Sequence, residues 1–175
     1  MERDRKAVME KMADGNRNRF QDVKHMSVEE AMRRRERLIF VDTRTQAERD
    51  VSMIEGAIDT KDFEGKADTL KDRDIVCYCT IGYRSSMYVR ERNGIDSKNR
   101  YYNLHGSILA WTHAGGNVVD PHNGKVTKRV HTFGPKWACA EKSYEQIQFD
   151  QPALAGVSWY VQNLYRRAST IFSSS

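Results

Sequence analysis

Short apolar runs separated by helix-like stretches organise the middle of the chain. "LIFVD" at 38–42 is too brief for a helix and has the continuous apolar character of a strand covered on both faces. "DIVCYC" at 74–79 and "YYNL" at 101–104 repeat the pattern, and "IEGAI" at 54–58 reads as a turn into a short strand. Helical signals lie between them. Ser27 with Glu30, and Thr45 with Glu48, have the spacing at which a hydroxyl and a carboxylate satisfy the first free N–H groups of a helix. "DFEGKADTL" at 62–70 predicts a short helix. "RSSMYVRERNG" predicts a longer one, ended by Gly94 as a left-handed C-cap. "SILAWTHAGG" places Ile108, Leu109 and Trp111 on the apolar side of a helix stopped by Gly115 and Gly116. Strands alternating with short helices argue for an α/β fold with a mostly parallel sheet and helices on both sides.

The rhythm fades at both ends. Residues 1–26 are polar with weak periodicity, an N-terminal arm that is helical or loose, and residues 27–118 form the domain. The C-terminal extension, 119–175, begins with a turn-rich stretch in which one strand is expected at 126–133. Near 152–168, Leu154, Val157, Val161, Leu164 and Ala168 fall on one helical stripe, which is expected to pack on the domain, the alternatives being a protein partner or a membrane surface.

Composition changes this picture little. A chain of 175 residues can bury a core of its own. Lys and Arg outnumber Asp and Glu by 29 to 24, a net charge of +5, but the charges are scattered. The densest cluster, "RRRER" at 33–37, reads as a solvated helix face, and no nucleic-acid motif accompanies it. No apolar run approaches the ~20 residues of a membrane span. The N-terminus lacks the apolar core of a secretory signal, so a cytoplasmic protein is expected. Three cysteines without framework spacing fit a reducing compartment. Cys77-Tyr78-Cys79 is too short for a zinc knuckle and the five histidines lack ligand spacing, so no metal is expected.

One cysteine asks for an explanation. Cys79 stands where a buried strand stops and Thr80-Ile81-Gly82-Tyr83-Arg84-Ser85 leads into a helix. In a parallel sheet, ligands gather at such strand ends, where helix N-termini present free N–H groups and favour negative charge. Gly82 lets the backbone curl, and Arg84 adds a permanent cation with a fork of donors. These groups stabilise a thiolate over a thiol, which suits a nucleophilic cysteine that ends up carrying a negative adduct. Cys77, inside the strand, is the better candidate for an inert core thiol.

"LIFVDTRTQAE", "MIEGAI", "IVCYCTIGYRSS" and "YYNLHGSILAWTHAGG", in this order, resemble the rhodanese-like domain of sulfurtransferases, over roughly residues 27–118. The resemblance implies a central, mostly parallel, five-stranded sheet with helices on both faces. It also implies transfer of a sulfane sulfur through a persulfide on Cys79. The donor would be a thiosulfate- or persulfide-type compound and the acceptor a thiol or cyanide, with no metal or organic cofactor. N–H groups of residues 80–85 and Arg84 would hold the persulfide. Arsenate reductases and phosphatases of this fold carry a loop one residue longer and usually His before the cysteine. Here four residues separate Cys79 from Arg84, and Tyr78 precedes the cysteine, as in the sulfur-handling branch. A phosphatase or arsenate reductase remains the lesser alternative, and a rhodanese-like binding or regulatory module another.

Asp42 and Arg44 match the family's Asp-x-Arg. Asp42 is expected to order the turn in a supporting role, whereas Arg44 either steers an anionic donor or is structural. Tyr83 either gates the pocket or is an ordinary loop aromatic, and Trp111 belongs to the core. Met53, Glu55 and Ser107 depart from the family pattern, Ser107 standing where a second Gly is usual. His105 is read as a surface histidine, and Cys139 as incidental to the chemistry unless the C-terminal arm brings it over Cys79.

Overall fold

The computed structural model describes residues 4–149, and the helix expected near 152–168 lies outside them. In chain order the elements are α1 (Arg5–Arg19), β1 (His25–Met26), α2 (Val28–Arg33), β2 (Leu38–Asp42), α3 (Gln46–Val51), β3 (Met53–Ile54), β4 (Ile58–Asp59) and α4 (Thr60–Ala67). Then follow β5 (Asp74–Tyr78), α5 (Tyr83–Ile95), β6 (Arg100–Leu104), α6 (Ser107–His113), β7 (Val118–Val119), β8 (Val126–Thr127), β9 (Arg129–His131) and β10 (Glu145–Ile147).

Five strands make the main sheet in the order β1-β6-β5-β2-β4, and every pairing in it is parallel. β5 is the middle strand, and its residues alternate between two apolar layers. Ile75 and Cys77 face Val41, Phe63, Tyr88, Val89 and Tyr101. Val76 and Tyr78 face Phe40, Leu104, Ile108, Leu109 and Trp111. Burial on both sides explains the unbroken apolar run, and each such aliphatic side chain contributes about 1.5–3 kcal/mol. In the register Val41↔Cys77 and Asp42↔Tyr78, β2 and β5 end side by side, so the loops after them share one edge of the sheet.

The edge strand β1 lies inside the segment read from sequence as an arm. Its two residues show no alternation of their own, and it forms because β6 offers an open parallel edge, with His25 beside Asn103. α1 is docked as well. Asp4 caps it by accepting from the Ala7 N–H at 3.1 Å, and Met9 and Ala13 are buried against α6. Gly106 allows that approach: its φ is +70°, and a Cβ there would lie 2.6 Å from Ala110 Cβ and 3.0 Å from Met9 Sδ.

Two expectations need correction. Gly94 does not end α5, which runs on to Ile95. The stop is set by Asp96, whose carboxylate accepts from the Lys98 N–H at 2.8 Å and from Asn99 and Tyr101. An extended residue whose carboxylate orders the following turn therefore stands where a left-handed glycine was expected. The strand expected at 126–133 is divided: β8 pairs antiparallel with β7, and β9 parallel with β10, so the chain changes sheets at Lys128. No helix among the described residues is long and apolar enough to cross a membrane.

Candidate active site

Cys79 is the first residue after β5, and α5 starts at Tyr83, so the intervening turn is tight. Gly82 makes it with φ of +107°, and a Cβ there would press to 3.2 Å from Asn103 Nδ2. That curl aims the Gly82 N–H at Cys79 Sγ, 3.2 Å away. The turn is pinned from outside too. The Ile108 and Leu109 N–H groups, unpaired within their own helix, donate to the carbonyls of Cys79 and Thr80 at 3.2 and 3.3 Å. Asn16, on α1, donates to the Ile81 carbonyl at 3.1 Å.

Ser107 completes the support. It adopts φ of +52°, a conformation uncommon for a residue with a Cβ, and its Oγ accepts the Cys79 N–H at 3.1 Å. In the sequence this position registered only as a departure from the family's glycine. The hydroxyl supplies an acceptor that glycine lacks. Ser85 Oγ is 2.6 Å from Asn103 Oδ1 and 3.5 Å from Cys79 Sγ. Its single proton is held more closely by Asn103, leaving the sulfur contact the weaker one.

Arg84 is not a bare cation. Its terminal nitrogens each donate to a Glu48 oxygen at 2.6 Å, and Thr80 Oγ1 accepts from it at 3.2 Å. Glu48 is fully buried and also accepts from the Thr45 N–H and hydroxyl at 3.0 and 2.9 Å. The capping box legible in the sequence is present. What the sequence did not disclose is that its carboxylate reaches across to the cysteine loop. Burial alone would raise the Glu48 carboxyl; hydrogen bonds and charge from Arg84, together with His131 and Arg44, hold it well below the usual carboxylate range. His131 Nδ1 lies 3.3 Å from Glu48 Oε1, off the hydrogen-bond direction, and its ring stacks on Phe149 with centroids 4.2 Å apart.

The thiol of Cys79 feels opposed influences. Burial pushes it up, while the charge of Arg84 and hydrogen bonds from Ser85 and Gly82 pull it down, and the net direction is down. The side chain is only 2% exposed, yet it lines a cavity of about 250 Å³. The other walls are Thr80, Ile81, Tyr83, Arg84, Phe133 and Trp137. The structure places Thr80 to Ser85 around the sulfur, and Gly82 and Ser85, not every member of the run, direct hydrogen bonds at it.

Arg44 does not join them. Its side chain is 0% exposed and forms a two-pronged pair with Asp42, Nε to Oδ1 at 2.9 Å and a terminal nitrogen to Oδ2 at 2.6 Å. The same nitrogen donates to the Ser52 carbonyl at 2.6 Å. Arg44 does not line the cavity, and this enclosure favours the structural alternative over the steering one. Asp42 also accepts the Arg44 N–H at 3.0 Å, which orders the turn after β2. His105 sits beside Asp14, 3.3 Å away, and does not line the cavity. Cys139 is fully buried in the α6-side layer, with its carbonyl 2.8 Å from His113 Nε2. Cys77 is sealed in the opposite layer.

Phe133, Trp137 and His131 were not anticipated as site residues. All three come from the turn-rich stretch after β7, where no short-range pattern reports a long-range contact. The aromatic spacing of "HTFGPKW" was the one available signal.

Among solved structures, the thiosulfate sulfurtransferase from Pseudomonas aeruginosa is similar with a TM-score of 0.51 at 17% identity, over 63% of this chain and 23% of that longer one. A rhodanese-related protein from Thermoplasma volcanium matches at 19% identity and a TM-score of 0.48, over 55% of this chain and 98% of its own. A protein of unknown function from Rhodopseudomonas palustris, described as a possible tyrosine phosphatase, matches at 20% identity and a TM-score of 0.49, over 67% of this chain and 96% of its own. At 17% identity the likeness to the Pseudomonas structure speaks to fold alone. No curated protein matches the chain. The sequence model of the rhodanese-like domain matches residues 27–114, from the cap of α2 to the end of α6. With half of its length in that match, the chain belongs to the rhodanese-like domain family.

Proposed function

We propose that the protein is a sulfurtransferase in which Cys79 carries the sulfur. The observation that supports this most is the pairing of a lowered thiol with a cavity: Cys79 Sγ receives the Gly82 N–H at 3.2 Å and also lines the hollow that would admit a donor. In the first step the Cys79 thiolate attacks the outer sulfur of a thiosulfonate or persulfide. A new S–S bond forms, the donor's S–S bond breaks, and the sulfinate or thiolate leaves with the electron pair. In the second step an acceptor thiolate attacks the outer sulfur of the Cys79 persulfide, and the Cys79 thiolate departs. Charge and sulfur balance in both steps without an outside oxidant or reductant.

The persulfide bears its charge on the outer sulfur, where the Gly82 and Ser85 donors and the nearby Arg84 would stabilise it. Phosphate-ester chemistry is less well served. A tetrahedral oxyanion needs an uncommitted fork of donors, and both terminal nitrogens of Arg84 are already bound to Glu48.

Mass spectrometry of the reduced chain after incubation with a thiosulfonate should show one added sulfur atom, mapped to Cys79. Cys79→Ser should abolish both the adduct and turnover, whereas Cys77→Ala, in the core, should keep the adduct. An adduct that survives in Cys79→Ser would overturn the assignment.

A further inference from the structure

The walls of the cavity are uneven in a way that bears on what enters it. Cys79, Thr80, Tyr83 and Arg84 belong to the loop and the start of α5. Ile81, Phe133 and Trp137 give the rest an apolar character, and the two aromatics come from beyond residue 114, where the family match stops. The rings of Phe133 and Trp137 meet edge to face with centroids 5.7 Å apart, so they form one continuous wall. Phe133 also covers the Arg84 guanidinium, 5.5 Å from its centroid.

Charge on this lining is nearly cancelled. Among the described residues Arg84 is the one basic member of the lining, and Glu48 already holds both terminal nitrogens. Two other cations, Arg19 and Lys136, lie over the rings of Tyr83 and Trp137 without lining the cavity. A small, doubly charged donor such as thiosulfate would exchange water for aromatic carbon and, among the described residues of the lining, would meet no cation without a carboxylate partner. A single aromatic ring has the reverse balance. Apolar cavities of about 150 Å³ accept benzene, and the additional room here, about 250 Å³ in all, leaves space for a sulfur-bearing group beside the ring.

Resting on the sulfurtransferase reading, we infer that the cavity selects an organic sulfur donor carrying one aromatic or similarly sized apolar group, and that Phe133 and Trp137 make the selection. For an aryl thiosulfonate, the Cys79 thiolate takes the outer sulfur and an aryl sulfinate leaves with the bonding electrons. The ring packs on Trp137 while the reacting sulfur meets Cys79.

The test compares benzenethiosulfonate with methanethiosulfonate, which share a reacting group and a charge and differ by the ring. Rates of sulfur loading on Cys79 of the full chain, followed by mass spectrometry, are divided by each reagent's rate with free cysteine. The expected preference for the aryl reagent is at least about tenfold, the order produced by one added apolar group in a fitted pocket. In Trp137→Ala, shown folded by its circular dichroism, the ratio should fall toward one. On the unaltered chain, benzenesulfinate should compete with loading and methanesulfinate should not. Equal normalised rates, or a preference untouched by Trp137→Ala, overturn the inference while leaving sulfur transfer intact. Loading by neither reagent overturns both.

Discussion

Two buried arginine–carboxylate pairs stand near the same sheet edge, and they do different work. Asp42 and Arg44 are two residues apart, both sealed from solvent, and they tie the turn after β2 to itself and to the Ser52 carbonyl. Glu48 and Arg84 are separated by 36 positions, and they fasten α3 to the loop that carries Cys79. Removing two charges from water is costly in either case, and hydrogen bonds such as those to the Ser52 carbonyl and from Thr45 offset part of the cost, although one terminal nitrogen of Arg44 has no partner among the described residues. The local pair shapes one turn. The distant pair holds a charge beside a sulfur, and so connects burial with reactivity.

The largest effects should come from breaking each pair. Arg44→Met and Arg84→Met each leave a buried carboxylate uncompensated and should lower unfolding free energy by about 3–5 kcal/mol, measured by urea titration. Cys79 separates them. Its thiol lies below the ordinary value, so the alkylation rate of the native chain should rise through an inflection at lower pH than that of an ordinary thiol such as free cysteine. Arg84→Met should move that inflection upward, and Arg44→Met should leave it in place. Equal shifts in both would dissolve the distinction.

A middling effect concerns acid. The Glu48 carboxyl is held below its ordinary value in the fold. Its stabilising share is therefore complete above the unfolded value of about 4.3, and is lost as pH falls from there through the folded value. Glu48→Gln should be less stable than the native chain at neutral pH and should lose less on acidification below about 4. If the two stabilities run parallel down to acid, the charge on Glu48 is not what supports the loop.

The smallest effect belongs to Ser107. Ser107→Gly gives up the hydrogen bond to the Cys79 N–H, about 1 kcal/mol, but relieves a left-handed conformation that disfavours any Cβ by a similar amount. Stability should stay within about 1 kcal/mol of the native chain in thermal or urea unfolding. A larger loss would make Ser107 a principal support, comparable with the distant ion pair.

Much of the sheet was legible because its signals are local. "LIFVD" and "DIVCYC" announce buried strands through their unbroken apolar character, and they became β2 and β5. Thr45 with Glu48 marks a helix start wherever it falls. β1 was hidden because two residues hold no periodicity and only β6 makes them a strand. α1 was equally obscure, since a mostly polar helix buries only Met9 and Ala13. The loop from Thr80 to Ser85 could be placed beside Cys79 because its order in the chain is nearly its order in space. Arg44 was ambiguous for the opposite reason: a guanidinium two residues from a carboxylate can turn inward or outward, and only packing decides. Phe133 and Trp137 depend on a return of the chain after two sheet changes, which leaves no mark on neighbouring residues.

The loop is braced by Asn16 from before the matched span and roofed by Phe133 and Trp137 from after it. A fragment excised at 27 and 114 would keep the sulfur atom and Arg84 yet lose the rear brace and the roof together. Grafting a different tail onto the same sheet would alter which molecules reach the thiol without touching the bonds it makes. If Cys79 carries the sulfur as proposed, the reacting atom and the aromatic part of its enclosure are written in separate stretches of sequence.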